Sequence, residues 1–524
     1  MNSLQALSDR WGTNNLAAAG ALATALYAWR LYSIRQANKD LPPHVPYTNP
    51  ILGSTLDYMH APHEWLAKNF DKYGPVMRAS LFGREQYLID TPLIPDAMKH
   101  KNFNSEQGAN AIQFLDVLVG LAVDYHMEDG QHLVLKALNN RMEIFVERIR
   151  PYISLMLDEK VGRKSGPVTV EDPFKLIRSM IAQAMCDNFV GKSLGRDPEM
   201  IHVFTHVTDV VAALATAGAS SMVALIVPGF RRWYANYMVN NRKILKPYTD
   251  ILIRKLTPEI EARVALRQSC GTNELEWEGS KPVDVLQTIL DDRNIDLTNR
   301  EAALARIGEV NNLLLFLIFA SVHLTSVHIT WMINSIALHT ECHEELLKEL
   351  KLVLASHGGV LSDEALRNMP KLDSFMRETF RTRFDCIGGS QRIVQEDTLL
   401  EGKYLLPKGA LLNPITFRAH QNPGHWPGRE DVMEFQPWSH EEPSSRTSPA
   451  YLQFGLGRHA CPGRFLAVNE AKLIVSYLLG RYDVKLKEPE KGVVTPMPAF
   501  TFSIAPTSAI VLTPRDEKDA LVLL

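Results

Sequence analysis

Residues 454–463 read FGLGRHACPG, a turn-forming, cationic run that presents Cys461 just ahead of an apolar segment, Phe465 to Leu479, spaced as a helix. Gly455, Gly457 and Gly463 carry no Cβ, so the backbone there can turn tightly and come close to a flat ring. Arg458 and His459 add positive charge, and a sulfur near a helix N-terminus meets free N–H groups and the positive end of the dipole. The expectation is a thiol that ionises readily and can ligate a metal. A cysteine in a glycine-rich loop is by itself no more than a small buried residue; it is the complete run that argues for a ligand.

That run resembles the haem-binding loop of the cytochrome P450 family, in which an aromatic, two glycines, a basic residue two before the cysteine and a glycine two after it recur together. Phe454, Gly455, Gly457, His459, Cys461 and Gly463 stand at those places. The resemblance implies haem b, iron protoporphyrin IX, as cofactor. It makes Cys461 the metal ligand, His459 a propionate partner and Phe454 a ring that shields the sulfur.

At 524 residues the chain exceeds the usual single-core size, and length alone would divide it into about three domains, yet no linker inside the body marks a boundary. Apolar residues at 46% and charged residues at 22% are ordinary globular values and exclude disorder as the main state. A net charge of −3 gives no electrostatic case for nucleic acid as a partner. Five cysteines, odd in number and far apart, form neither a disulfide framework nor a CxxC knuckle, which places the body in a reducing compartment.

Leu16 to Trp29 is rich in alanine and leucine but short of the roughly 20 residues that span hydrocarbon. Leu31 and Tyr32 extend it if Arg30 snorkels to the interface. Arg30, Arg35 and Lys39 follow the run while Arg10 precedes it, a bias that leaves the downstream body on the cytoplasmic side of a lipid bilayer. A cleaved secretory signal would carry its basic charge ahead of the apolar stretch. The sequence thus divides into a membrane anchor at 1–33, a proline-rich hinge at 34–53 with Pro42, Pro43, Pro46, Pro50 and Gly53, and a catalytic body at 54–524. Anchor, hinge and glycine in this order resemble microsomal members of the family, which implies the endoplasmic reticulum membrane.

Apolar spacing of three and four predicts helices over Ala61–Tyr73, Ile112–Val123, Gly130–Leu157, Phe174–Phe189, Met200–Thr216, Phe230–Leu256, Val283–Asp292, Arg300–Ala355 and Leu366–Arg383. Strand-like pieces are fewer: Val76–Ser80, Glu85–Ile89, Arg392–Leu405 and Ala509–Leu512. The fold class is mainly α with small β-sheets, and the resemblance implies the cytochrome P450 fold. Val210 to Val227 is almost wholly apolar, and a stop at Pro228 and Gly229 favours two short helices around a surface loop, with Arg231, Arg232, Trp233 and Tyr234 at a lipid interface.

Phe375 to Arg383 reads FMRETFRTR, which sets Glu378 and Arg381 three apart on one helix face, where they can pair. Its place upstream of Cys461 matches the family's buried pair, which supports the core under the haem loop. The third member of that network is usually a later arginine, whose place is taken here by Ser439, with His440 beside it as a substitute. His132 with Lys136, and Arg392, resemble two further cationic positions of the family, and so Lys136 and Arg392 are expected to contact haem.

Phe316 to Trp331, FLIFASVHLTSVHITW, resembles the helix that crosses the distal haem face, where a small-residue pair, an acid and a threonine relay protons to dioxygen. Ala320 and Ser321 stand at the small pair, His323 at the acid and Leu324 at the threonine, with Thr325 next. Histidine titrates near neutrality and can relay protons; a core histidine bonded to a backbone carbonyl is the alternative. His323 and Thr325 thereby join Cys461 as catalytic candidates.

The resemblance implies a monooxygenase that oxidises a lipophilic secondary metabolite, such as a terpenoid or steroid-like intermediate, using dioxygen and electrons from NADPH through a cytochrome P450 reductase. Its loop and distal helix look most like filamentous-fungal members. By the same resemblance Ile112–Leu118, Val210–Ala217, Ala320, Leu324, Ile387–Gly389 and Met497–Phe502 line the substrate cavity. A reductase-independent haem-thiolate isomerase and a haem sensor without turnover remain open alternatives.

Overall fold

The computed structural model describes residues 41–118, 127–138, 141–162, 166–216, 223, 227, 229–383, 387–495, 503–516 and 521. The anchor, the start of the hinge, Cys386 and the stretch Met497–Phe502 lie outside the described residues, as do parts of Ile112–Val123 and Val210–Val227. The described end of the hinge is not a free spacer. It docks onto the first strand, where Val45 N–H donates to the Arg78 carbonyl at 2.8 Å and Arg78 N–H to the Pro43 carbonyl at 2.7 Å.

Ten strands occur among the described residues: β1 (Val76–Leu81), β2 (Arg84–Ile89), β3 (Phe103–Asn104), β4 (Val168–Val170), β5 (Arg392–Val394), β6 (Thr398–Leu400), β7 (Tyr404–Leu406), β8 (Leu411–Pro414), β9 (Tyr482–Leu486) and β10 (Ile510–Pro514). The largest sheet runs β1-β2-β8-β5-β3. Its hairpin closes through Phe82 and Gly83, both at positive φ, the backbone pairing that a tight two-residue turn between twisted strands requires. The very short β3 and β4 lack the alternation that would reveal them in sequence, and β8 and β9 were also not foreseen.

The helices that build the site are α1 (Pro62–Tyr73), α2 (Ser105–Gln113), α3 (Met127–Leu138), α4 (Met142–Lys160), α5 (Pro173–Val190), α6 (Pro198–Thr216), α7 (Phe230–Asn236), α8 (Lys246–Ser269), α9 (Ile307–Leu338), α10 (His343–Ser356), α11 (Pro370–Thr382) and α12 (Arg464–Arg481). α4, α5, α9 and α12 pack on one another, with α6 across α5 and α9. α9 is apolar nearly all round and therefore runs through the core; it is long and apolar enough to cross a membrane, but its burial marks it as a core helix.

Five expected helices are divided, Ile112–Val123 at the left-handed Phe114 and Leu366–Arg383 at Asn368 and Met369 among them. Arg300–Ala355 breaks at Arg306 and again at His339, where the backbone leaves the helical region, giving Arg300–Ala305, α9, a 3₁₀ turn and α10. Gly130–Leu157 is α3 and α4, and Phe230–Leu256 is α7, a π-helical turn at Tyr237–Asn241 and α8. Apolar spacing continues through each break because both flanking helices bury their faces in the same core.

Candidate active site

Cys461 lies directly before α12, whose N-cap is Gly463 without any side-chain cap. The first N–H groups of an uncapped helix need acceptors, and those of Gly463 and Arg464 donate to the Cys461 sulfur. The loop is closed by Cys461 N–H to the Phe454 carbonyl at 2.7 Å. Gly455 and Gly457 hold positive φ, and at Gly457 a Cβ would sit 3.1 Å from the Lys99 side chain. Gly463 differs: its φ is −83° and a Cβ there would meet no protein atom within 4 Å. Backbone conformation therefore does not demand glycine at 463, and its missing side chain leaves open space instead.

Cys461 is exposed. Nevertheless burial by the surrounding chain pushes its thiol up, outweighing the opposing N–H donors and Arg464. The sulfur is thus accessible and yet closely surrounded by chain. These surroundings also correct the expectation of ready ionisation, since the protein alone favours the neutral thiol and a bound metal would have to draw off the proton.

Beside the loop, Arg392 of β5 is 2% exposed, and its Nε is buried with no partner among the described residues. Desolvation first, then the charge of Arg458, brings its pKa down to about 10. Arg458 Nε donates to His459 Nε2 at 2.9 Å, while His459 Nδ1 lies 3.3 Å from the Ser105 hydroxyl. Among the described residues neither arginine pairs with a carboxylate. Two like charges held together without an acid call for an external anion, and the carboxylates of a haem fit here, with the iron at Cys461. Gly108 of α2 fixes this corner: a Cβ there would stand 2.2 Å from the Gln391 carbonyl, so only glycine lets α2 rest on β5 with Ser105 beside His459. Lys136, by contrast, is an exposed side chain on α3, and among the described residues no hydrogen bond or ion pair joins it to this cluster.

On α9, the exposed positions of the buried stretch are Ala320 and Leu324, one turn apart, with Leu324 at 37%. His328 continues the same stripe and lies against Gln453, the residue before the cysteine loop. Burial, then Arg383, push His328 well below its usual value, so it is neutral and accepts from Arg383 at 3.0 Å. That stripe therefore faces the cysteine side. His323 does not lie on it: its ring contacts Phe174 of α5 edge-on at 5.9 Å and Phe319 at 6.1 Å. Thr325 lies to the other side. Ser321, Ser326 and Thr330 donate to helix carbonyls, whereas Thr325 makes no hydrogen bond among the described residues. Of the other expected cavity residues, Ile387 is fully buried in the sheet-side core, and Ala212 and Ala213 line a cavity together with His323.

Glu378 and Arg381 are both wholly buried and joined twice, Nε to Oε2 at 2.7 Å and Nη2 to Oε1 at 2.8 Å. His440 Nε2 meets Oε2 at 2.8 Å, as expected for the third partner. The expected gap at Ser439 is filled from elsewhere: Arg429 Nη1 donates to Glu378 Oε1 at 2.8 Å, and its Nη2 donates to the Ser439 hydroxyl. Burial would raise the Glu378 carboxyl, but the bonds from Arg381, His440 and Arg429 prevail and hold it well below the carboxylate range.

An arrangement of this kind defines a haem-thiolate protein. Residues 43–512 match the profile of the cytochrome P450 family, and the chain belongs to that family. It is 30% identical to cytochrome P450 monooxygenase 71 of Postia placenta over 344 residues, 64% of each chain. The chain thus covers less than two thirds of that relative. Cytochrome P450 monooxygenase paxQ of Penicillium paxilli is 25% identical over 92% of both chains, and pyrichalasin C-7 hydroxylase of Pyricularia grisea 26% identical over 67% of both. The solved structure of a retinoic acid-bound cyanobacterial CYP120A1 matches the fold with a TM-score of 0.63 at 18% identity, covering 91% of this chain and 99% of that one.

Proposed function

We propose that the protein is a membrane-bound monooxygenase that inserts oxygen into a lipophilic secondary metabolite of terpenoid or steroid-like character, drawing electrons from NADPH through a reductase. The observation that carries this reading is the accessible Cys461 sulfur at the start of α12, with helix N–H groups behind it and, beside it, Arg392 and Arg458, neither of which pairs with a carboxylate among the described residues. Fungal relatives that are named monooxygenases or a hydroxylase support it.

Haem held at Cys461 would supply the activation of dioxygen. Arg392 and Arg458 would neutralise its carboxylates, with His459 held in place by Ser105. Ala320 and Leu324 give the open side of α9 a small and an apolar surface, which excludes water and admits a lipophile. The unbonded hydroxyl of Thr325 is the group on that helix free to hold and pass a proton. His323 can join such a relay only from the neighbouring face.

The anchor at 1–33, with its basic flank, would hold the body on the cytoplasmic face of the endoplasmic reticulum. Trp233, 59% exposed, stacks on the exposed Tyr237, and Val223 and Val227 are exposed as well, apolar side chains suited to lipid. The neighbouring arginines are engaged differently: Arg232 pairs with Asp116, and Arg231 sits over the Phe114 ring at 5.4 Å.

Leucine at the usual threonine place also supports a second reading, a rearrangement that needs no reductase. Incubating the haem-loaded protein with reductase and candidate lipophiles, with and without NADPH, decides between them. NADPH-dependent oxygenated product is expected. Product without NADPH would transfer the assignment to the isomerase, and colourless protein after haem supplementation would refute both.

A further inference from the structure

His328 uses both of its ring nitrogens, and they reach different parts of the fold. Nδ1 lies 2.5 Å from the carbonyl of Leu324, one turn back on α9. A carbonyl only accepts, so Nδ1 carries the proton and Nε2 presents a lone pair. Two donors meet that lone pair: Arg383 Nη2 at 3.0 Å, from just past α11, and the side-chain amide of Gln453. Burial, then the Arg383 charge, hold the ring neutral, in keeping with this tautomer. Phe380 of α11 steadies the ring edge-on at 5.4 Å, and Arg383 is itself tied to the Ser503 hydroxyl at 3.0 Å. The imidazole is therefore fixed from α9, from α11 and from the loop at once.

Gln453 leads from this ring to the sulfur. It stands directly before Phe454, whose carbonyl accepts the Cys461 N–H at 2.7 Å. On its other side, Leu452 N–H donates to His420 Nε2 at 2.9 Å. The start of the cysteine loop is thus pinned twice, through the backbone of Leu452 and through the side chain of Gln453. Gly455, next in the chain, has no side chain that could take over either pin.

We propose that His328 is a positioning residue for the thiolate: through Gln453 it holds Phe454, and with Phe454 the Cys461 sulfur, in register with the turn of α9 that carries Leu324. This role rests on Cys461 as the haem ligand. One imidazole is then shared by the distal helix and the ligand loop, so a shift of the Leu324 turn moves the amide that braces the sulfur.

The full-length haem-loaded protein tests this. Its thiolate-type ferrous–carbonyl band converts to the neutral-thiol type when the sulfur loses its place, and the rate of conversion in dilute urea is followed beside far-UV circular dichroism. Gln453→Leu should speed the conversion about threefold to tenfold, the effect of one hydrogen bond, with the helical signal unchanged. His328→Phe, which keeps a ring against Phe380 but has no nitrogen, should speed it at least as much. The double variant should convert no faster than His328→Phe alone, because both changes cut the same link. His328→Gln, whose side-chain oxygen can accept at the place of Nε2, should restore the wild-type rate. If His328→Phe takes up no haem, Gln453→Leu against wild type decides alone. Wild-type rates in both single variants, effects that multiply in the double variant, or conversion of His328→Gln as fast as that of His328→Phe would overturn the proposal. A wild type without the thiolate-type band would instead sink the Cys461 assignment on which it rests.

Discussion

Glu378→Gln tests the core beneath the haem loop. The carboxylate receives two bonds from Arg381, one from Arg429, one from His440 and one from the Gln436 N–H, the last at 2.8 Å. An amide keeps the shape but removes the charge and turns an NH₂ toward donors. Two guanidinium groups, with 0% and 7% of their side-chain surface exposed, then lose their shared anion. Breaking a buried pair in this way costs about 3–5 kcal/mol, or roughly two to four powers of ten in the folding constant. The pH dependence follows from the depressed carboxyl pKa. The folded value lies below that of the unfolded chain, so the stabilisation is complete above about pH 4.3 and is lost as pH falls toward the folded value. Wild type and variant should therefore differ fully at pH 7.5, and the gap should narrow by about 1.4 kcal/mol per pH unit below pH 4. Denaturant unfolding followed by circular dichroism measures both. A gap under about 1 kcal/mol at pH 7.5, or one that does not change in acid, would refute the reasoning.

Cys461→Ala should abolish the thiolate-type ferrous–carbonyl band, whereas Cys186→Ala should keep it, because Cys186 is wholly buried and its thiol is pushed far up by desolvation. Gly108→Ala places a methyl 2.2 Å from the Gln391 carbonyl, so α2 must lift from β5; haem content per protein should fall while far-UV circular dichroism stays near wild type. Thr325→Val should lower product formed per NADPH consumed and raise hydrogen peroxide release, with Thr325→Ser restoring the ratio.

The cysteine loop and the Glu378–Arg381 pair were legible because each is local: all their atoms come from one short run of chain. Arg429 was not, because its bond to Glu378 joins residues 51 apart, across a loop without periodicity. Ser439 looked like a vacancy in the motif, yet its hydroxyl accepts from Arg429, so the charge reaches the same place from the opposite side of the loop. Gly108 gave no signal for a similar reason. A glycine inside a helical pattern reads as a weak helix former, and its need appears only when β5 is seen at van der Waals range. The helix breaks at Arg306 and His339 were hidden because apolar spacing reports burial, and burial continues across a break when both sides share a core.

The distal helix shows what a motif position does and does not carry. The resemblance puts His323 where the family has its acid, but position along a helix becomes chemistry only through bearing, and successive residues differ by about 100°. His328, set against Gln453, fixes that bearing: Ala320, Leu324 and His328 face the cysteine side. His323 and Thr325 then fall on opposite flanks of the stripe. One flank is filled by Phe174 and Phe319, which hold the imidazole neutral and away from the cysteine side. On the other, the Thr325 hydroxyl alone has not been taken up by a helix carbonyl, although Ser321, Ser326 and Thr330 nearby all have. The proton relay we propose therefore falls to Thr325, one place beyond the usual threonine, and Thr325→Val should disturb oxygen chemistry more than removal of the His323 imidazole does.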